Sequence, residues 1–132
     1  MPELTPLSPS KLFKALGEPT RLATMLLIDQ QSELCVCELT VAVGVSQPKI
    51  SRHLAQLRAQ GLLLDERRGQ WIYYRLHPTL PDWSRQLLHI TRNANTDFLQ
   101  PMLVRLETMT TKPPDCRPVI DNTSFNHPRS TL

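Results

Sequence analysis

The chain has 132 residues, 40 % of them hydrophobic, and a net charge of +3 from 15 Lys and Arg against 12 Asp and Glu. These values suit one soluble domain with a single core. Three cysteines, an odd number, argue against a disulfide-built scaffold. No apolar run is longer than Met25 to Ile28, which is far too short to span a membrane. With no leader-like stretch, the chain is predicted to be cytoplasmic, with reduced thiols.

The N-terminal part of the chain predicts a flexible arm and two helices. Residues 1–9 contain three prolines and no apolar period, as a flexible arm does. A short amphipathic helix then ends at Gly17, and a second helix runs from Pro19 to about Gln30. The apolar side of the first helix consists of Leu12, Phe13 and Leu16.

Two cysteines, Cys35 and Cys37, follow the second helix. Residues two apart on a helix point about 200° away from each other. Helix geometry therefore cannot aim both sulfurs at one ion, and the two cannot easily share one buried helix face. Chelation by the pair requires a non-helical backbone around Val36, before a short helix predicted from about Glu38 to Val43. The alternative is that both are simply small buried residues.

The helix predicted from Gln47 to about Gln60 carries no acidic residue. Gly44 suits the left-handed end of the preceding helix, and Ser46 can cap the new one. Residue types that read base edges in the major groove lie near its start: Gln47, Lys49, Arg52 and His53.

A β-hairpin and a longer helix are predicted to complete a domain of residues 10–110. The strands are Leu62 to Glu66 and Trp71 to Leu76, and the cationic turn between them, Arg67 to Gln70, suits phosphates. The helix begins at Pro81 and is interrupted at Pro101. Residues 111–132 have the composition of a disordered tail.

This order of elements is that of a winged helix-turn-helix, a mainly α fold with a small β-hairpin. The alternative interpretation is that the acid-free helix face is an ordinary solvated surface. A capped turn before the helix and a cationic hairpin after it, in the order that DNA-binding proteins require, favour DNA binding instead. Double-stranded DNA is the predicted partner. The predicted DNA-binding residues are Ser46, Gln47, Pro48, Lys49, Ser51, Arg52, His53, Arg67, Arg68 and Gln70.

Four sequence blocks stand in order: Leu12 to Leu22, Glu33 to Leu39, Ser46 to Leu54 and Gly69 to Leu76. Together they resemble the ArsR/SmtB family of metal-responsive repressors, most closely its arsenic-responsive members, over about residues 10 to 95. The resemblance implies a homodimer, without enzymatic activity or a permanent cofactor, that leaves its operator DNA when trivalent arsenic or antimony binds. It maps the metalloid thiols onto Cys35 and Cys37. Metalloid coordination at Cys35 and Cys37 is expected to distort the short helix that follows them. It is also expected to tilt the helix that begins at Gln47, called the reading helix because it would read the DNA bases.

One position departs from that pattern. Arsenic-responsive relatives often carry a third cysteine where this chain has Thr40. The third ligand could be Cys116, a small exogenous thiol or hydroxide, and an organoarsenical would need only two sulfurs. Soft thiolates also suit cadmium and lead. A structural zinc site uses four donors, and His89 alone in the last helix does not supply them.

The apolar sides of the first and last helices can be core, dimer interface or both. The apolar side of the last helix exceeds what so small a chain needs internally, which favours a dimer interface. The predicted interface residues are Leu12, Leu16, Trp83, Leu87, Ile90 and Ala94. Two other functions stay open. The cysteines could form a redox switch, although a disulfide between residues two apart closes a strained ring. A small thiol reductase is less supported, since the sequence lacks a CxxC motif and a glycine-rich loop.

Overall fold

The computed structural model describes residues 7–109, and these form a mainly helical chain with a small antiparallel sheet. The predicted order of a winged helix-turn-helix is confirmed. Within residues 7–109, no helix has both the length and the apolar character needed to cross a membrane. The helices are α1 Pro9–Leu16, α2 Pro19–Gln31, α3 Val36–Val43, α4 Gln47–Ala59, α5 Asp82–Ala94 and α6 Thr96–Glu107, and the strands are β1 Leu34–Cys35, β2 Leu63–Arg68 and β3 Trp71–Leu76.

Helix α1 begins at Pro9, the last residue of the predicted arm. Pro9 was assigned to the arm, but it is in the first turn of α1, where proline costs no hydrogen bond. The hydroxyl of Ser8 caps this helix by accepting from the Lys11 N–H at 3.1 Å. Leu7 packs against the core. The rest of the predicted arm, and the tail from residue 110 onward, lie outside the described residues.

The turn between α3 and α4 has the predicted chemistry. Gly44 adopts the left-handed conformation, with φ 81° and ψ 29°, at the end of α3. The Ser46 hydroxyl accepts from the Lys49 N–H at 3.4 Å, and Pro48 lies in the first turn of α4. Glycine and serine thus separate the two helices of the DNA-binding motif, as the sequence indicates.

The sheet contains a strand that the sequence did not reveal. Its order is β1–β3–β2, all antiparallel, with Leu34 opposite Tyr74 and Cys35 opposite Tyr73. Strand β1 is only two residues long, too short for an alternating pattern to be visible. The β2–β3 hairpin is the wing of the fold. Because β1 pairs with β3, the cysteine segment is an edge strand of the same sheet.

The hairpin turn is tighter than predicted. Strand β2 extends through Arg68, which is opposite Trp71, so the turn has only two residues, Gly69 and Gln70. Gly69 has a φ of 63°, the sign that the first residue of a two-residue hairpin turn requires. The two arginines predicted in the turn therefore belong to β2.

The C-terminal helices separate at Asn95, so the predicted interruption at Pro101 is wrong. Asn95 has φ −132° and ψ 50°, and its side-chain amide donates to the Thr91 carbonyl at 2.7 Å. Pro101 lies inside the continuous helix α6. Helix α6 packs mainly on α3 and adds buried Leu99 to the core.

Buried side chains form two clusters in this part of the chain. The larger one is built around α2 and α4 and includes the predicted stripe Ile50, Leu54 and Leu57. The smaller one consists of Cys35, Cys37 and Trp71, with Tyr73 and Met109 packed against it. The two cysteines thus lie in a small packed cluster beside the main core.

Candidate thiol site and nucleic-acid interface

The cysteine pair spans the start of α3. This helix begins at Val36, two residues earlier than predicted, and Cys35 is its N-cap, with extended φ −91° and ψ 168°. Cys37 is in the first helical turn. The separation of about 200° between residues two apart applies only when both are helical, so it does not apply here. The required non-helical residue is Cys35 itself.

Both cysteine side chains are completely buried, and they share one cluster with Trp71, which is 6 % exposed. Because only Cys37 is helical, the pair shares this cluster without sharing a helix face, and its complete burial also agrees with the alternative that both are small buried residues. The cluster brings together a cysteine from a strand end and a cysteine from a helix start. No sequence pattern indicated that Trp71, which lies 34 residues beyond Cys37 on the hairpin, packs against the cysteines.

Two local hydrogen bonds hold the start of α3. The Cys35 N–H donates to the Glu38 carboxylate at 2.9 Å, as the third residue of a capping box does. The Thr40 hydroxyl, at the position where a third cysteine was expected from the resemblance, donates to the Val36 carbonyl at 2.9 Å. The backbone that carries both cysteines is thereby fixed, so a ligand that changes its conformation must break these bonds.

Within residues 7–109, no group of three or more His, Cys, Asp or Glu side chains is arranged to hold a metal ion. The pair therefore supplies two donors, and Cys116, the predicted third ligand, lies outside the described residues. Cys37 is disulfide-bonded in this structure, and Cys35 is not its partner. Because the thiolate is the form that binds metals, ligand capture at this site requires the reduced form of the protein.

The outer face of α4 presents cations to solvent. Lys49 and Arg52 are exposed, as are Ser46 and Pro48. Gln47 is half-buried and donates to the Ser51 hydroxyl at 3.2 Å. A basic helix face without carboxylates suits the major groove of DNA.

His53 differs from these residues because it faces α2. Its side chain is 13 % exposed, and its Nε2 atom lies 3.7 Å from a Glu18 carboxylate oxygen. Arg21 approaches the other ring nitrogen at 3.5 Å and donates to the Gln56 side chain at 3.3 Å. Glu18, Arg21 and His53 therefore join the start of α2 to the reading helix.

Arg68 in the wing is held by protein carboxylates. Its two terminal nitrogens donate to the two oxygens of Glu33 at 2.6 and 2.7 Å, and one of them also donates to Glu66 at 3.0 Å. The guanidinium lies 4.5 Å from the Tyr73 ring centre. The Arg68 hydrogen bond lowers the pKa of the Glu33 carboxyl. Sequence reasoning missed this pair because 35 residues separate its members.

The predicted dimer residues fall into three groups. Ile90 is 64 % exposed, and Trp83 and Ala94 on the same helix are also exposed. Leu16 and Leu87 are partly buried and pack on the core. Leu12 is completely buried within the protomer, so its side chain cannot meet a partner, and exposed Phe13 on α1 is the available apolar group.

The reading helix, the capped turn and the hairpin wing define the class of protein: a winged-helix DNA-binding regulator. Residues 18–63 match the family model described as "Bacterial regulatory protein, arsR family". The "Arsenic resistance transcriptional regulator ArsR2" of Pseudomonas putida is 51 % identical over 116 residues, which cover 88 % of this chain and 96 % of that relative. The chain therefore belongs to the arsR family of bacterial transcriptional regulators, and it is a DNA-binding regulator and not an enzyme.

Other relatives agree with this assignment. The "Arsenical resistance operon repressor" of Escherichia coli K12 is 52 % identical over 82 residues, covering 62 % of this chain and 70 % of that protein. Among solved structures, HlyU from Vibrio cholerae matches with a TM-score of 0.57 and 28 % identity, covering 64 % of this chain and 88 % of that chain. The repressor BigR from Xylella fastidiosa matches with a TM-score of 0.56 and 29 % identity over 65 % of this chain and 84 % of that one.

Proposed function

We propose that this protein is a cytoplasmic repressor that binds operator DNA as a homodimer and is released when trivalent arsenic or antimony binds Cys35 and Cys37. The observation that carries the proposal is the buried cluster shared by the two cysteines, at the junction of the wing and the DNA-binding motif. The names of the relatives from Pseudomonas putida and Escherichia coli support arsenic as the inducer.

The chemistry of the pair suits a trivalent metalloid. Thiolates are soft ligands and prefer thiophilic ions. Magnesium and calcium, which prefer oxygen ligands, are therefore not the ions that such a pair binds. In arsenite each arsenic–sulfur bond replaces an arsenic–hydroxide bond, and the thiol proton leaves with that hydroxide as water. The exchange needs no oxidant and no permanent cofactor, but it needs both sulfurs reduced.

Cys116 is the proposed third ligand. Met109, the last described residue, packs against the cysteine cluster, so the chain leaves the domain beside the two thiols. Cys116 follows seven residues later. A segment of that length spans at most about 25 Å, which is ample for a sulfur to return to the cluster.

For DNA, the exposed start of α4 is proposed to enter the major groove, with Gln47, Lys49 and Arg52 at base edges. The neighbouring phosphates are then bound by Ser46, Ser51 and, from the wing, Arg67 and Gln70, while Pro48, which has no N–H, packs against the sugar–phosphate backbone. His53 and Arg68 lie at the edges of this surface and already contact protein groups, so their contribution is to position α4 and the wing.

The homodimer is proposed to use the exposed apolar side of α5 together with α1. Trp83, Ile90 and Phe13 are large apolar side chains exposed to solvent in a single protomer. Burying such groups against a second copy removes apolar area from water, and the twofold symmetry of the dimer then matches a palindromic operator.

Fluorescence anisotropy tests the proposal with the intact protein and labelled DNA from upstream of its own gene. With a phosphine reductant, arsenite is expected to release the wild-type protein, and Cys35→Ser and Cys37→Ser are expected to bind the DNA but stay bound when arsenite is added. Cys116→Ser is expected to need more arsenite. Antimonite, phenylarsenite, cadmium, lead and zinc rank the inducers. Unchanged arsenite release in the Cys35→Ser/Cys37→Ser double variant, or release by peroxide alone, contradicts the proposal.

A further inference from the structure

We propose that the wing is part of the sensor, and that Glu33 and Arg68 are positioning residues that join the wing to the cysteine segment. The inference rests on the proposed function and deepens it. It differs from a mechanism in which only the reading helix α4 tilts, because it gives the thiol site a second, direct connection to the DNA-binding surface.

The first step in the argument is the shared sheet. Cys35 is in β1, and β1 pairs with β3 of the wing, where Cys35 stands opposite Tyr73. A sulfur cannot change direction to share a ligand with Cys37 without a change at its own backbone or side-chain torsions. Because β1 and β3 are joined by hydrogen bonds, a backbone change at Cys35 acts on the wing.

The second step is the buried contact between the thiols and the wing. Trp71 fills the cysteine cluster, and it is the first residue of β3, directly opposite Arg68 next to the turn. An ion bound between the two sulfurs takes up space that is closely filled in its absence. Close-packed side chains transmit such a change to their neighbours. The displaced neighbour here is the residue that starts the second strand of the wing.

The third step is the ion pair. Glu33 immediately precedes β1, and its two carboxylate oxygens accept from the two terminal nitrogens of Arg68. This two-point geometry fixes orientation as well as distance. The end of the hairpin is therefore tied to the cysteine segment at two points: by Trp71 at the cysteines and by Arg68 at Glu33.

Glu66 provides a matched control because it binds the same arginine. Its carboxylate accepts from Arg68 at 3.0 Å and from Arg75 at 3.1 Å, so all of these contacts stay within the hairpin. Glu33→Ala removes the connection from the wing to the cysteine segment. Glu66→Ala removes an equal charge from Arg68 but leaves that connection in place.

The test measures the induction ratio, which is the operator Kd with saturating arsenite divided by the Kd without it. Exposed ion pairs are worth up to about fivefold in an equilibrium constant, so we expect Glu33→Ala to reduce this ratio two- to fivefold. Arg68→Ala, compared with its own arsenite-free Kd, is expected to reduce it similarly, and the double variant no further. Glu66→Ala is expected to keep the wild-type ratio. Thermal unfolding establishes that each variant is folded.

A wild-type induction ratio in Glu33→Ala and Arg68→Ala overturns the inference, as does an equal loss in Glu66→Ala. In both of those cases the wild-type protein is still released by arsenite, so the proposed function stands. If arsenite does not release the wild-type protein at all, the proposed function fails and the inference fails with it.

Discussion

Arg105 of α6 holds the C-terminal end of α3 by donating two hydrogen bonds to the carbonyl oxygen of Ala42, from Nε at 3.0 Å and from a terminal nitrogen at 2.7 Å. The last carbonyls of a helix have no partner within the helix, and a cation there is favourable. Because α3 carries Cys37 at its other end, Arg105 fixes the element that bears half of the thiol site.

Replacing Arg105 with alanine is expected to lower the free energy of unfolding by about 1.5 kcal/mol, the low end of what hydrogen bonds from charged groups contribute, because Arg105 is partly solvated. Arg105→Lys keeps the charge but loses the two-point geometry. Its free energy of unfolding is expected to lie between those of the wild type and Arg105→Ala. Urea unfolding followed by circular dichroism measures the change. Equal stability of Arg105→Ala and the wild type would show that α6 does not secure α3.

Arg52 and Arg58 offer a matched pair of cations on α4. Both are exposed, but Arg58 near the helix end forms an ion pair with Asp65 at 3.0 Å. Arg52→Ala is expected to weaken operator binding by about 1 to 3 kcal/mol, as loss of a base-reading arginine does. Arg58→Ala is expected to change it much less. Anisotropy titrations at one fixed salt concentration decide, and a larger effect of Arg58→Ala contradicts the assigned orientation of the helix.

The fluorescence of Trp71 is expected to change when a metalloid binds. Of the two tryptophans within residues 7–109, only Trp71 packs on the cysteines. Arsenite should change the fluorescence of the reduced wild-type protein and of Trp83→Phe. Trp71→Phe should lose that change while its remaining tryptophan stays fluorescent. A response that depends on Trp83 instead would place the bound metalloid away from Cys35 and Cys37.

The ion pair of Glu33 predicts a specific acid sensitivity. Its hydrogen bond from Arg68 lowers the pKa of the Glu33 carboxyl below 4.5. A carboxyl with a lower pKa in the folded state stabilises the fold above its unfolded pKa, and this stability is lost as the pH falls through the folded pKa. Because Glu33 is partly exposed, the contribution is at most about 1 kcal/mol.

We therefore expect Glu33→Gln to melt below the wild type at neutral pH, and the difference in Tm to shrink once the pH falls below about 4.5. Thermal unfolding of both proteins across that range provides the measurement. A difference in Tm that grows on acidification has the wrong sign and would exclude this role for the carboxylate.

The parts of the fold that depend on local chemistry were predictable from the sequence. Gly44 and Ser46 mark a helix end and a helix start by backbone preference and capping, and the stripe of α4 follows from the helical period. The hairpin was also evident, although its turn was placed too wide, since Arg67 and Arg68 continue the strand.

The contacts that complete the site were not predictable, because they join distant parts of the chain. Trp71 reaches Cys35 and Cys37 only through the pairing of β1 with β3, and a two-residue strand has no period. Leu12 was assigned to the dimer because apolar residues of a short helix do not reveal which of them face the protomer's own core. Pro101 was taken as a break, yet the helix ends earlier, at Asn95.

Linkage between the two ligands gives the most direct measurement. Isothermal titration calorimetry with arsenite measures the arsenite affinity of the reduced free protein and that of the reduced protein bound to operator DNA. If arsenite lowers operator affinity, operator must lower arsenite affinity by the same factor, about 5- to 150-fold for couplings of the usual size. We predict that reduction for the wild-type protein. Equal arsenite affinity for the free and the DNA-bound protein would contradict the account.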